Sequence, residues 1–113
     1  MISLLVILES PYAAPTLEGR QANETYARAA MRDCLQRGEA PYASHLLYTQ
    51  HGVLDDADPA ERALGIEAGL AWGAQAHKTV VYCDRGISSG MQLGIDKAER
   101  QGRPVEMRWL GHL

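Results

Sequence analysis

The stretch that decides the fold is the apolar run Ile2-Ser3-Leu4-Leu5-Val6-Ile7-Leu8-Glu9, which Ser10-Pro11-Tyr12 brings to an end. A continuous apolar run of this length is typical of a central parallel strand that is buried on both faces. No basic residue precedes the run and a charged residue closes it, so we interpret it as a strand and not as a secretion signal. The rest of the chain is expected to form around this strand.

Helical and extended patterns alternate after the first strand. A flexible stretch is expected as far as Arg20, and the later elements are predicted as helices over 22–37, 59–76 and 89–101 and strands within 41–48, 79–83 and 105–109. The order β-α-β-α-β-α-β predicts a parallel sheet with right-handed crossovers. We therefore expect one small Rossmann-like (flavodoxin-like) α/β domain over residues 1–113. It should have about four mainly parallel strands, the first of them central, and helices on both faces.

Spacing of apolar residues also predicts which side chains are buried. Helix 22–37 has Tyr26, Ala29, Ala30 and Leu35 on one approximate face. The helix that starts with Asp58 as its cap and Pro59 in its first turn is densely apolar, so it is expected to be well buried. Both tryptophans, Trp72 and Trp109, are assigned to the core.

Composition excludes several classes of function. The chain has 113 residues and a formal charge of −3, so it lacks the basic footprint of a nucleic-acid-binding protein. No apolar run is long enough to cross a membrane. The two cysteines indicate a reduced, cytoplasmic protein, and without a Cys/His cluster we predict neither a metal site nor another cofactor.

Ligands of open parallel sheets bind beyond the carboxyl ends of the strands. That rule brings together Ser10-Pro11-Tyr12, Ser44-His45 and the segment from Asp84 to Gly90. In the last of these, small residues stand directly before a predicted helix, where free backbone N–H groups favour a phosphate or another anion: Gly86, Ser88, Ser89 and Gly90. The alternative is that Ser88 or Ser89 only caps the helix.

Other candidate residues have a structural alternative as well. Asp84 is suited to accepting a proton or holding a ribose hydroxyl, but it is also a common turn residue. Glu67 is suited to reaching the site from its helix, or to lying on that helix's surface. His45 is suited to binding phosphate, acting as an acid or serving structure alone. Tyrosines such as Tyr12 and Tyr26 suit stacking on a base or packing, and Asn23 suits a ligand contact or a helix cap.

The run Ser88-Ser89-Gly90-Met91-Gln92-Leu93-Gly94 resembles the G-M-E-L-G segment of the nucleoside 2-deoxyribosyltransferase superfamily. The loop Ser10-Pro11-Tyr12, the pattern Asn23-x-x-Tyr26-x-x-Ala29 and the acidic Glu67 follow the same order as in those enzymes. The similarity covers nearly the whole chain. It is greatest to phage and actinobacterial domains of unknown function within that superfamily.

The resemblance implies a nucleoside or nucleotide ligand, held by the segments above together with Met91 and Gln92. The enzymes carry a nucleophilic glutamate where this chain has Gln92, and an amide cannot form the glycosyl ester that a carboxylate forms. We therefore expect a nucleotide- or nucleoside-binding domain. The alternative is an active N-glycosidase or N-deoxyribosyltransferase that acts on a (deoxy)nucleoside monophosphate through Asp84 or Glu67. The resemblance also implies a homo-oligomer, with a dimer expected.

Overall fold

The computed structural model describes residues 4–111, which form one α/β domain around a four-stranded sheet. Its elements in chain order are β1 (Leu4–Glu9), α1 (Leu17–Gln36), β2 (Glu39–Tyr42), α2 (Ser44–Leu47), α3 (Pro59–Gly73), β3 (Lys78–Tyr82), α4 (Ser89–Arg100) and β4 (Val105–Arg108). Residues 2 and 3 of the predicted first strand lie outside the described part. None of the helices within residues 4–111 is both long and apolar enough to cross a membrane.

All neighbouring strands of the sheet are parallel, and their order is β2-β1-β3-β4. Strand β1 is an inner strand, with Leu5 opposite Ala40 of β2 and Leu8 opposite Val80 of β3. The predicted parallel sheet with a central first strand is confirmed. The chain moves to one side from β1 and to the other side from β2, so the order reverses between β1 and β3, where parallel sheets usually open a crevice.

Helix α1 begins earlier than the sequence pattern predicts. Thr16 caps it by accepting a hydrogen bond from the backbone N–H of Gly19 at 3.0 Å, so the stretch expected to be flexible up to Arg20 is partly helical. The predicted buried face of this helix included Leu35, and this was wrong, because Leu35 is 50% exposed. The buried positions are spaced three and four residues apart, as a helix requires: Asn23, Tyr26, Ala27, Ala30 and Cys34.

The second strand ends earlier than predicted. Gly38 turns the chain with a φ of 81°, and β2 then covers only Glu39–Tyr42. The residues after it fold into the single helical turn α2, in which the N–H groups of Leu46 and Leu47 donate to the carbonyl of Ala43 at 3.0 Å. Consequently His45, which is expected after the second strand, lies on the helical turn that follows β2.

Alternation along the strands divides the sheet into two faces. On the face covered by α1, the buried side chains form one cluster: Val6, Leu8, Tyr26, Ala30, Cys34, Ala43, Val80 and Tyr82. On the opposite face, which we call the α4 face, Val81 packs against Met91 and Ile95 in a smaller cluster. Most of the hydrophobic core therefore lies under α1.

Helix α3 departs from the prediction that it is well buried. Asp58 caps it as predicted, accepting from the N–H of Ala60 at 2.9 Å. However, Leu64 and Trp72 are each 56% exposed, because α3 packs chiefly against the short α2 and stands away from the sheet. Assignment of Trp109 to the core was also wrong, since it follows the edge strand β4 and is 63% exposed.

Candidate functional site

A cavity of about 300 Å³ opens on the α4 face, between the sheet, α2, α3 and α4. It exists because α3 stands off the sheet, leaving Ile7 and Glu9 of β1 uncovered. Two glycines of α3, Gly65 and Gly69, and two of α4, Gly90 and Gly94, line it as well. A concave space of this kind at the carboxyl edge of a parallel sheet is where such folds bind small molecules.

Eight of the residues selected from the sequence line this cavity: Ser10, Tyr12, Ser44, His45, Ser88, Ser89, Gly90 and Met91. Seven others do not line it: Pro11, Asn23, Tyr26, Glu67, Asp84, Gly86 and Gln92. The loops after the strands therefore meet at one cavity, and whether an individual side chain lines it depends on where that side chain is held.

Ser10 and His45 form a polar pair on the cavity wall. The Oγ of Ser10 and the Nε2 of His45 are 2.7 Å apart, and the ring of Tyr12 meets the imidazole edge-on at 6.5 Å between centroids. Burial lowers the pKa of His45 to about 4, so the imidazole is neutral at pH 7. A neutral imidazole offers hydrogen bonds to a ligand but no charge for a phosphate.

The start of α4 supplies backbone donors. Ser88 caps the helix, with its Oγ accepting from the N–H of Met91 at 3.2 Å, so the capping role considered from the sequence is occupied by Ser88. The N–H groups of Ser89 and Gly90 have no acceptor within residues 4–111. Both residues face the cavity, where the helix dipole favours negative charge.

Glu9 is a cavity residue that the sequence analysis did not select. It is the last residue of β1 and shares the cavity face with Ile7, because Val6 and Leu8 point to the α1 side. A Cβ on Gly94 would overlap its carboxyl group, so the carboxyl lies directly against the backbone of α4. The sequence feature that could have identified Glu9 is a charged residue at the carboxyl end of an otherwise apolar strand.

The surroundings of the Glu9 carboxyl shift its pKa strongly. Burial raises the pKa of its carboxyl to about 8, although the positive charges of Lys97 and Arg103 act in the opposite direction. Arg103 is already engaged, donating to the Oγ1 of Thr79 at 2.9 Å and to the carbonyl of Gly73 at 2.6 Å. Lys97 has no ion-pair partner within 4.0 Å among residues 4–111, so its ammonium is available to a ligand.

Asp84 is held by the protein itself. Its carboxylate accepts from the hydroxyl of Tyr26 at 2.5 Å and from the backbone N–H groups of Leu110 and Gly111 at 2.8 and 3.0 Å. Desolvation raises the pKa of Asp84, but these hydrogen bonds outweigh it and the net pKa lies below the usual value. The carboxylate therefore fixes the segment after β4 against the turn after β3.

Three more selected residues are held outside the cavity. Asn23 donates to the carbonyl of Tyr12 at 3.0 Å and accepts from Arg85 at 3.1 Å, so it joins the loops after β1 and β3. Gln92 is exposed and donates to Asp96 at 3.0 Å on the same helix. Glu67 is exposed on α3. Among residues 4–111 no three His, Cys, Asp or Glu side chains converge as metal ligands would.

Comparison with known protein families shows the family to which this chain belongs. Residues 4–108 match the family described as Domain of unknown function (DUF7768). The chain belongs to this family. A comparison with curated proteins gives no match.

A solved structure shows the same fold. A 2-deoxyribosyltransferase from the psychrotolerant bacterium Bacillus psychrosaccharolyticus is similar with a TM-score of 0.65 and 17% sequence identity. The alignment covers 96% of this chain and 75% of that one. The DUF7768 domain therefore has the Rossmann-like fold of a deoxyribosyltransferase, as the sequence predicted, and at this identity the likeness shows the fold alone.

Proposed function

We propose that this DUF7768 domain belongs to the deoxyribosyltransferase-like superfamily and binds a nucleoside or nucleotide in the cavity on its α4 face. The observation that carries the proposal is the cavity itself, at the sheet edge where folds of this class bind ligands. The structural neighbour is a 2-deoxyribosyltransferase that is characterised as a suitable biocatalyst for the industrial synthesis of antiviral and antitumoral nucleosides. That description supports a nucleoside-related ligand for the shared fold.

Polar groups of the cavity suit the parts of a nucleotide. The unbonded N–H groups of Ser89 and Gly90 suit a phosphate or a sugar oxygen. Lys97 lies seven residues beyond Gly90 on the same helix, about 10 Å along its axis at 1.5 Å per residue. Tyr12 and Tyr48 provide aromatic surface for a base. A ligand with one anionic and one heterocyclic end fits this arrangement.

Gln92 favours binding over covalent catalysis. By the resemblance, this position holds the nucleophile in the enzymes, and the neutral amide cannot take that role. Its side chain is exposed and bonded to Asp96, so a role in holding the ligand requires that this bond be exchanged. Gln92 does not line the cavity, so the residues that do line it carry the proposal.

One observation favours a catalytic alternative, and it is the carboxyl of Glu9. In this second candidate function, water attacks the anomeric carbon, the C1′–N bond breaks and the leaving base nitrogen takes the proton of Glu9. The attacking water then returns a proton to the Glu9 carboxylate. Glu9 replaces Asp84 and Glu67 in this role because, of the three, it alone lines the cavity. A carboxyl with a pKa of about 8 is a suitable acid near neutral pH.

Self-association is proposed through α3. Its exposed apolar residues Leu64, Ile66 and Trp72 lie on a helix that packs chiefly against α2. A second copy of the chain covering this helix would remove that surface from water and close one wall of the cavity. Light scattering at micromolar concentration should give twice the monomer mass of 12.4 kDa. A monomer mass would contradict the proposed dimer and leave the ligand proposal standing.

The ligand proposal is tested with a panel of nucleosides and their 5′-monophosphates, by thermal shift and calorimetry, with product analysis of every mixture. Gly90→Leu should abolish binding without unfolding the protein, because a Cβ there meets only the Oγ of Ser88, at the ordinary contact distance of 4.0 Å. Glu99→Leu, an exposed position on the same helix, is the control and should bind normally. Release of free base by the wild type would favour the catalytic candidate. No binding by the wild type would refute both.

A further inference from the structure

Glu9 occupies an unusual place for a carboxyl group. It closes an otherwise apolar strand, and its carboxyl lies against Gly94, a position without a side chain. Besides the apolar Ile7 and Leu93, the cavity wall includes Ser10, the next residue in the chain, and Lys97, about one turn beyond Gly94 on α4. Within residues 4–111 no hydrogen-bond donor and no cation within 4.0 Å contacts this carboxyl. Glu9 is half-buried and its carboxyl faces the cavity, so an ionised carboxylate there would lose part of its hydration while remaining accessible to a ligand.

The charges around the cavity do not neutralise Glu9. The other titratable or charged groups on the wall are Tyr12 after β1, Tyr42 of β2, His45 and Tyr48 in and after α2, Asp56, Glu61 and Arg62 around the start of α3, Lys97 of α4 and Arg103 before β4. Arg62 pairs with Asp56 at 3.5 Å, and His45 is neutral at pH 7. Lys97 and Arg103 lower the pKa of Glu9, but burial outweighs them and the carboxyl keeps its proton near neutral pH.

A protonated carboxyl group offers one donor and one acceptor side by side. It complements a group with an N–H and a neighbouring unprotonated nitrogen or carbonyl oxygen, such as the amidine or amide edge of a nucleobase. An ionised carboxylate would accept only, and it would repel an anionic ligand that is bound at the start of α4. The protonation state therefore selects the class of ligand.

We propose that Glu9 is the specificity-determining residue of the cavity and that it holds the amidine or amide edge of a nucleobase by a pair of hydrogen bonds. This inference rests on the proposed function and names the part of the ligand that is recognised. Gly94 on α4 makes room for the Glu9 carboxyl, and Gly65 and Gly69 on α3 let Leu54 and Ser44, which also line the cavity, approach that helix closely. The cavity of about 300 Å³ that this carboxyl lines has room for a flat heterocycle.

The probes for this proposal are 2′-deoxycytidine and 2′-deoxyadenosine, whose amidine edges do not ionise between about pH 6.5 and 9.5, and thymidine at about pH 6.5 for the amide edge. Calorimetry of the wild type should show affinity for at least one of them. For an amidine ligand it should fall about thirty-fold between these two pH values, as expected when only the acid form of a group with a pKa near 8 binds. Derivatives dimethylated on the exocyclic amine should bind at least ten-fold more weakly.

Glu9→Gln is the decisive variant, because an amide also donates and accepts side by side. It should bind the same nucleoside within about three-fold of the wild type at pH 6.5 and should lose the pH dependence. Glu99→Gln, exposed on α4, is the matched control and should behave as the wild type. A loss of binding above ten-fold in Glu9→Gln at pH 6.5, or tighter wild-type binding at pH 9.5, would overturn the assignment.

Titration of the Glu9 side-chain carboxyl carbon by NMR in the free protein tests the same point without a ligand. A midpoint near pH 8 is expected, and one near 4.5 would overturn the proposal. The failures are distinguishable. If no nucleoside binds the wild type, the proposed function is refuted and this inference with it. If nucleosides bind with an affinity that changes neither with pH nor in Glu9→Gln, only the inference about Glu9 is refuted.

Discussion

The two faces of the sheet are built from the same four strands but differ in how completely they are covered. On the α1 face, the apolar cluster is buried and the buried charged side chains are paired. Arg108, only 4% exposed, donates to both carboxylate oxygens of Glu39 at 2.8 and 2.6 Å and to Tyr82 at 3.1 Å. On the α4 face, a cavity separates the sheet from α3, and Glu9 and Lys97 line it without a partner within residues 4–111.

This difference indicates which face of the sheet stabilises the domain and which face is suited to binding. A buried polar group that is fully paired serves a fixed structure, whereas an unpaired one inside a cavity is costly unless a ligand completes it. Cavity-lining glycines and an α3 that stands off the sheet reduce packing on the α4 face. We therefore expect substitutions on the α1 face to affect folding and those on the α4 face to affect binding.

The largest effect is expected on the α1 face. Arg108→Ala leaves the Glu39 carboxylate buried without its main partner and should lower the free energy of unfolding by about 3–5 kcal/mol. Arg28→Ala removes an exposed pair with Glu24 at 3.5 Å and should cost less than about 1 kcal/mol. Urea denaturation measures both. Equal losses in the two variants would contradict the division between a buried network and a solvated pair.

The next effect concerns pH. Folding raises the pKa of Glu9 from 4.5 to about 8, so the folded protein holds this proton more tightly than the unfolded chain. The resulting stabilisation is complete below pH 4.5 and is lost as the pH rises through 8. Relative to Glu9→Gln, the wild type should therefore lose about 4 kcal/mol of unfolding free energy between pH 5 and 9.

Comparison with Glu9→Gln is needed because His45 acts in the opposite direction. Its pKa falls from 6.5 to about 4 on folding, so its contribution is present above pH 6.5 and is lost as the pH falls through 4. Both proteins share this effect, and the difference between their urea-denaturation curves isolates Glu9. A difference that stays constant from pH 5 to 9 would contradict the account of Glu9.

A smaller effect on stability, but a clear one on binding, is expected from Gly94→Ala. The new methyl group would displace the Glu9 carboxyl, which is the movable end of a flexible side chain. Alanine also favours the helix, so the free energy of unfolding should stay unchanged or rise by up to about 1 kcal/mol. Nucleoside affinity in calorimetry should fall at least ten-fold, with Glu99→Ala as control. A Gly94→Ala protein that is clearly destabilised would contradict the open character of this face.

The smallest effect is expected on α3. Leu64 is 56% exposed, so Leu64→Gln should change the free energy of unfolding of a single chain by less than about 0.5 kcal/mol. If α3 forms the proposed dimer contact, the loss should be larger at high protein concentration than at low concentration. A large loss that does not depend on concentration would show that α3 is buried within one chain.

Regular elements of this fold could be predicted from the sequence because local signals specify them. The apolar β1, the Asp58 cap and the order of strands and helices depend on neighbours in the chain, and the parallel sheet follows from them. Burial of α3 could not be predicted in this way. Its apolar composition is dense, but whether it packs on the sheet depends on the cavity beneath it, which no local pattern records.

The sequence predicts the position of the candidate site in the fold, but only some of the residues that line it. Loops after parallel strands meet at one edge, which brought Ser10, His45 and Ser89 together. Asp84 was selected for its chemistry, yet Tyr26 and two backbone amides that are distant in sequence occupy its carboxylate. The sequence pattern does not place Glu9 in the site, because Glu9 ends a strand that is expected to be buried in the core. Its position in the cavity follows from tertiary packing against Gly94.

The most direct test of the central claim is a map of amide chemical-shift changes when 2′-deoxycytidine, 2′-deoxyadenosine and thymidine are each titrated into the wild-type protein. For at least one of them, the amides of Ser10, Ser89, Gly90 and Gly94 on the α4 face should shift and saturate, while those of Ala27 and Ala30 on the α1 face should not. Saturating shifts confined to the α1 face, or no shifts with any of the three at millimolar concentration, would contradict nucleoside binding in the cavity.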